Sequence, residues 1–352
     1  MAATAPPRRG AGLVVLLVTL LAVCALDRVL LRVLGLPVWQ YDPVLLYTHR
    51  PNMVAAWDSF PGAYPLHTNR WGQADDDFPR DKPAGEWRAV VIGDSVAMGF
   101  GLPHAEALPD QLERRLTAAA SRPVQVINAA VSGYSTVQYP EALRRALAFQ
   151  PDLALIGFCL NDVLATRKSN VWFAFKGVLP SADPLLAWVV AETGFGRLAL
   201  RTRSWLASGT YFERAAQYRR LAVDVAEDSS DDAEREAQWA RALHELDLAV
   251  AVGREAGIPV AVLVFPYVGQ LEPGGHRRPQ ARLVEWAARQ GVPLFDAAPP
   301  LDRRVAAGEA PQAFFLDELH FRLLGNALIA DALAAWLLET GMGPPPAPAS
   351  AG

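Results

Sequence analysis

Five short runs of apolar residues, separated by stretches of helix length, constrain this chain more than anything else in it. They are residues 88–92 (RAVVI), 124–128 (VQVIN), 153–158 (LALIGF), 259–265 (PVAVLVF) and 293–295 (PLF). Such nearly continuous apolar runs, rich in β-branched residues, suit strands of a parallel sheet covered on both faces. Helical sequence falls between them at 105–120, 139–148, 233–256 and 281–289. A last helix at 323–338 closes the series, with Leu323, Ala327, Ala330, Ala334 and Leu337 spaced at threes and fours. On the helix at 233–256, Trp239, Leu243, Leu246 and Val250 share a face. Five strands with helical crossovers predict an α/β protein, a three-layer α/β/α sandwich on a five-stranded parallel sheet.

The chain also carries apolar sequence that this sheet does not need. Residues 10–26 (GAGLVVLLVTLLAVCAL) hold 17 positions without a charge, about 25 Å as a helix and at the short end of a bilayer span. Arg8 and Arg9 precede the run and favour a cytoplasmic N-terminus. The leading expectation is a retained single-pass anchor. A cleaved signal peptide is the alternative, with Ala22 and Ala25 as small residues, and it implies secretion. The segment Leu21-Ala22-Val23-Cys24 outlines a lipoprotein signal, but Val23 stands where a small residue belongs. All three readings put the rest of the chain outside the cytoplasm, whereas a buried core helix does not.

Composition narrows the remainder. Lys plus Arg number 33 against 37 Asp plus Glu, a net charge of −4 that argues against nucleic acid as a partner. Two cysteines, Cys24 and Cys159, exclude a disulfide scaffold and a zinc site built on several cysteines. The chain then divides into an N-terminal stub and membrane segment (1–36), a Pro-punctuated extended connector (37–86), the α/β domain (87–340) and a Pro/Ala/Gly tail (341–352) expected to be disordered. Within the connector, Asp75-Asp76-Asp77 reads as a solvated turn before Pro79 rather than a metal site, because hard-cation loops need spaced ligands.

In open α/β sheets, sites form beyond the carboxyl ends of the strands. After the first strand comes Gly93-Asp94-Ser95, a turn able to present the Ser95 hydroxyl beside free N–H groups of a helix start. After the second, Gly133 lets its N–H approach a ligand without side-chain obstruction. After the third, Asn161 offers a neutral donor. Directly before the last helix, Asp317 and His320 stand three apart, and only this one of the six histidines follows an acidic residue at such a junction. An Asp that orients a His that activates a Ser is recognised by roles, not by chain order. Each segment alone is an ordinary turn.

In order, the four segments resemble the blocks of the SGNH/GDSL hydrolase family, over residues 87–340 and the 69–88 lead-in. A bacterial, membrane-anchored member is the expectation. The resemblance implies a flavodoxin-like five-stranded sheet, Ser95 as nucleophile, His320 as general base and Asp317 as its orienting partner. It implies an oxyanion hole from Ser95 N–H, Gly133 N–H and the Asn161 side chain. Departures are Val96 in place of Leu after Gly-Asp-Ser, Leu160 before Asn161, and Phe321 where a Pro often follows the His.

The expected activity is a serine esterase acting outside the cytoplasm at a bacterial inner membrane, without metal or organic cofactor, on a small-molecule, lipid or glycan ester. Acyl transfer to an envelope glycan uses the same residues, and a non-catalytic binding module is the remaining alternative. Oligomeric state is left open. An insertion at 164–231 carries Trp172, Phe173, Phe175, Trp188, Phe195, Trp205, Tyr211 and Phe212. It is expected to pack as a local helical cap rather than form an acyl channel. The acidic residues between Glu227 and Asp232 read as a solvated turn.

Overall fold

The computed structural model describes residues 9–35, 38–56, 65–167, 184–206 and 233–345. In chain order the elements begin with α1 (Arg9–Leu34), β1 (Trp39–Asp42), β2 (Leu46–His49), β3 (Val54–Ala56), β4 (Pro65–His67), β5 (Trp87–Gly93), α2 (Ser95–Met98), α3 (Leu108–Ala119), β6 (Val124–Asn128) and α4 (Tyr139–Ala146). They continue with β7 (Leu153–Cys159), α5 (Pro184–Glu192), α6 (Gly194–Leu206), α7 (Ala233–Glu255), β8 (Val260–Phe265), α8 (Arg278–Gln290), β9 (Leu294–Asp296), α9 (Ala298–Ala306) and α10 (Leu323–Glu339). The chain divides into two compact units, Met1–Tyr47 with Ser169–Glu213, and Thr48–Lys168 with Arg214–Gly352.

The second unit holds the five-stranded sheet, in the order β6-β5-β7-β8-β9, with every neighbouring pair parallel. This is the flavodoxin-like strand order. Right-handed crossovers place its helices. The step from β5 to β6 runs one way along the sheet and the step from β6 to β7 runs back past β5. Their helices α3 and α4 therefore cover opposite faces. α3 packs with α10, and α4 packs with α7. Every residue of β5, β7 and β8 is buried, as continuous apolar strands require. Leu112 and Leu116, Leu333 and Leu337, Trp239 and Leu246 complete the two outer seams. Each such side chain contributes about 1.5–3 kcal/mol by leaving water.

All five strands and the five helices read from the sequence are present, with ends shifted by a few residues. Leu323 is an exception within α10, being 44% exposed, and Ile329 and Leu333 carry the buried face instead. α9 is additional. Its Ala-Pro-Pro start looks like a helix breaker, yet proline is tolerated in the first turn, where its missing N–H is not needed.

The 37–86 segment is only partly an extended connector. β3 and β4 pair antiparallel, and Leu66, Thr68, Asn69, Ala74 and Phe78 are buried. The expected solvated turn holds for Asp76 and Asp77, which are exposed, but not for Asp75, which is 2% exposed. Asp75 accepts from Asn128 N–H at 2.9 Å and Asp76 N–H at 2.8 Å. Asn128 Nδ2 in turn donates to the Ala74 and Met98 carbonyls. The lead-in is thus stitched to the end of β6 and to α2. Burial, opposed by these hydrogen bonds and reinforced by Asp110 and Glu113, pushes the Asp75 carboxyl up to about 8. His104 and Asp110 lie beside it, their ligand atoms and that of Asp75 all within 4.8 Å of one another, and His104 Nδ1 is 2.9 Å from Asp110 Oδ2.

In the first unit, the stretch Gly12–Leu34 of α1 is long and apolar enough to cross a membrane, and none of it is buried in the protein. Packed on it is α6, which also packs on α5. The aromatic insertion does not seal itself as a cap at the positions described: Trp188 is 54% exposed and Phe195 41%. Trp172, Phe173, Phe175, Tyr211, Phe212, the Glu227–Asp232 turn, the Trp205 side chain and the tail from residue 346 lie outside the described residues.

Candidate active site

Ser95 stands at the carboxyl edge of the sheet because two glycines let α2 dock there. Gly93 ends β5 and lies opposite Gly157 of β7. A Cβ on Gly93 would stand 2.4 Å from the Ala97 methyl and 2.9 Å from the Gly157 carbonyl oxygen, and one on Gly157 would stand 2.7 Å from the same methyl. Only hydrogen at both positions allows Ala97 to rest on the strand ends. Asp94 caps α2 by accepting from Val96 N–H at 2.8 Å, a favoured use of Asp before a helix. Ser95, the first helical residue, is 9% exposed.

The Asp-x-x-His spacing is explained by the loop that carries it. Asp317 Oδ1 accepts from Leu319 N–H at 2.9 Å and His320 N–H at 2.8 Å, a turn that Asp side chains close readily. That turn brings the imidazole back so that its Nδ1 lies 2.8 Å from Asp317 Oδ2. An antiparallel bridge between Phe315 and Phe321 closes the loop, with Leu316 N–H donating to the His320 carbonyl at 2.7 Å. Glu318 accepts from Val268 N–H at 2.9 Å, which ties the loop to the segment after β8. Phe321, the departure from proline, packs on Phe315 and Phe265 with ring centroids 4.6 and 5.8 Å away.

His320 Nε2 lies 2.8 Å from Ser95 Oγ, 225 residues away in sequence. The three predicted groups therefore form one unbroken hydrogen-bonded chain. Burial pulls the Asp317 carboxyl upward, but its bonds to His320 and to the Leu319 and His320 amides outweigh this and hold it down to about 2. It is an ionised acceptor at neutral pH, so Nδ1–H is the donor that suits it and Nε2 is the ring nitrogen that faces the Ser95 hydroxyl. The ring of Phe100 lies against this imidazole, centroids 4.7 Å apart.

Gly133 and Asn161 follow β6 and β7, the two strands flanking β5. Gly133 has φ +82° in a turn closed by Tyr134 N–H to the Val131 carbonyl at 3.0 Å, a turn whose third residue must take positive φ. Asn161 sits in a 3-10 turn beyond β7. That turn is held by Asp162, whose Oδ2 accepts from Cys159 N–H at 2.9 Å and Tyr139 O–H at 2.5 Å. Among the described residues, Asn161 Oδ1 is buried with no hydrogen-bond partner.

Sequence reasoning did not find Phe100, Asp162, Tyr139 or the Asp75–Asn128 tie. Asp162 was readable as the partner of Asn161 in an Asn-Asp pair at a strand end. Phe100 carries no signal in its neighbours.

A family model described as the GDSL-like lipase/acylhydrolase family matches residues 91–328. No curated protein matches the chain. Similar solved structures include an acetylxylan esterase from Geobacillus stearothermophilus, 14% identical over 72% of this chain and 94% of that one, TM-score 0.42. Another is a lipase/acylhydrolase from Enterococcus faecalis, 18% identical over 74% and 98%, TM-score 0.40. A third is a lipolytic G-D-S-L protein from Veillonella parvula, 12% identical over 72% and 98%, TM-score 0.41. The family match spans about two thirds of the chain and includes Ser95, Gly133, Asn161, Asp317 and His320, so the protein belongs to the GDSL-like lipase/acylhydrolase family and is a carboxylic ester hydrolase.

Proposed function

We propose that this protein is a membrane-anchored serine esterase whose catalytic unit works outside the cytoplasm. The observation that carries the catalytic reading is the continuous chain from Ser95 Oγ through His320 to Asp317, with both links at 2.8 Å. Ser95 Oγ attacks the ester carbonyl carbon as His320 Nε2 takes its proton. The Asp317 carboxylate stabilises the imidazolium and remains ionised. Ser95 N–H, Gly133 N–H and the Asn161 amide receive the developing oxyanion. The imidazolium then protonates the departing alcohol. Water, deprotonated by the same imidazole, attacks the acyl-Ser95 ester and releases the acid.

The anchor reading is supported by the unburied apolar length of α1 and by Arg8 and Arg9 ahead of it, which orient the N-terminus inward. The substrate class follows from family and site: an ester of a small molecule, a lipid or a glycan. The test is hydrolysis of an ester panel, from aryl acetates to acylated sugars and longer-chain esters, by the full chain in detergent, with Ser95→Ala as control. Turnover absent from Ser95→Ala supports the proposal, and equal turnover in both overturns it. Adding glycan acceptors to the same assay reads acyl transfer directly.

A further inference from the structure

Exposed apolar surface in the first unit gathers on three packed helices. α5 (PLLAWVVAE) has no charge before Glu192, and its Leu185, Leu186 and Trp188 are 67%, 47% and 54% exposed. On α6, Phe195 and Leu198 stand three apart on one face at 41% and 43% exposure. Contiguous apolar surface of this kind marks a contact with another apolar phase.

Two contacts fix its level along α1. Phe195 N–H donates to Asp27 Oδ1 at 3.1 Å, so the first turn of α6, which favours a negative partner, meets α1 where its uncharged run ends. Gly194 touches the same turn of α1. A Cβ there would stand 2.3 Å from the Asp27 carbonyl oxygen, 2.6 Å from Leu30 Cβ and 2.9 Å from Leu31 N, an approach open to glycine alone. α5 is held to α6 in the same way, since a Cβ on Gly196 would stand 2.3 Å from the Val189 carbonyl oxygen. From Asp27 through the end of α1, and across α5 and α6, the sequence holds five arginines (Arg28, Arg32, Arg197, Arg201 and Arg203) and two acids, Asp27 and Glu192.

We propose that α5 and α6 are a second membrane contact, seated in the interfacial layer of the bilayer that α1 crosses. The argument is continuity with α1 at the residue where the apolar span stops, together with charge. Leu185, Leu186, Trp188, Phe195 and Leu198 enter the boundary between headgroups and acyl chains, where tryptophan is favoured. The exposed Arg28, Arg32 and Arg201 meet anionic headgroups. The unit then grips the membrane with a helix and a surface patch together. This inference rests on the reading of α1 as a retained anchor.

The test uses the full chain carrying Cys24→Ala in vesicles of phosphatidylethanolamine and phosphatidylglycerol with nitroxide-labelled acyl chains. An environment-sensitive fluorophore is attached in separate proteins at Trp188→Cys, at Leu185→Cys, at Val18→Cys in the middle of α1, and at Val284→Cys, a surface site 51% exposed on α8. Cys159 is buried and stays unlabelled. The expected result is blue-shifted emission and loss of most of the fluorescence at 185 and 188, with none at 284. Quenching at 18 with water-like, unquenched emission at 185 and 188 overturns the interfacial contact and leaves the anchor standing. No quenching at 18 overturns the anchor reading and the contact with it.

Discussion

Asp317→Asn separates orientation from scaffolding, because the structure fixes how the new amide must sit. Asp317 Oδ1 holds two backbone amides, those of Leu319 and His320, while Oδ2 faces the His320 ring. An asparagine keeps both backbone bonds only if its oxygen takes the Oδ1 place, which leaves its NH₂ pointing at Nδ1. The imidazole must then accept at Nδ1 and carry its proton on Nε2, where it can no longer receive the Ser95 proton. The flipped amide restores the tautomer but gives up two backbone hydrogen bonds worth about 0.5–1.5 kcal/mol each. The unproductive tautomer therefore dominates, and kcat for an aryl acetate falls by about 10⁴, the scale seen when such a carboxylate becomes an amide. Stability changes too. A carboxyl held to about 2 against an ordinary 3.8 contributes about 2.5 kcal/mol. That contribution is present above about pH 4 and is lost as pH falls through 2. At neutral pH the variant should melt earlier while remaining folded by circular dichroism. Initial-rate kinetics beside a thermal melt read both effects. Turnover within tenfold of wild type in a folded Asp317→Asn protein would refute the tautomer argument.

Asn161→Ala should lower kcat on the same ester by about 10²–10³ with KM little changed, because the lost donor acts only when charge develops on the carbonyl oxygen. Gly157→Ala places a methyl 2.7 Å from Ala97 Cβ and 3.0 Å from the Phe265 ring; it should cost about 1–3 kcal/mol in urea unfolding and reduce turnover by displacing α2. Asp75 carries the opposite pH dependence to Asp317. Its carboxyl is raised to about 8, so the folded state holds a proton that the unfolded chain releases near 4, and stability falls as pH rises between these values. Asp75→Asn should flatten the decline in melting temperature between about pH 5 and about pH 8, and an unchanged decline contradicts the assignment.

The sheet was legible in the sequence because strands buried on both faces leave unbroken apolar runs, and β5, β7 and β8 are buried throughout. The four site segments were legible for a related reason. Three sit at strand ends and the fourth directly before the last helix, where Gly, Asn, Asp or Ser serves backbone geometry as well as chemistry. Asp317 shows this best, folding its own loop through Oδ1 and meeting His320 through Oδ2. What sequence concealed is long-range. Asp75 reads as one of three acids in a turn, and only the approach of Asn128, 53 residues on, makes it buried. Phe100 meets His320 through tertiary packing with no local pattern. The aromatic insertion was less legible, because aromatic content reports a need for apolar surroundings and not which phase supplies them. Among the described residues, Trp188 and Phe195 stay largely exposed.

The central claim is that Ser95 is the nucleophile, activated through His320. Its most direct test is labelling of the full chain with a fluorophosphonate, read by intact mass and by sequencing of the modified peptide. The account predicts one adduct, on Ser95, abolished in Ser95→Ala and strongly slowed in His320→Ala, with ester hydrolysis lost in parallel. Labelling or hydrolysis that persists unchanged in purified Ser95→Ala would contradict it.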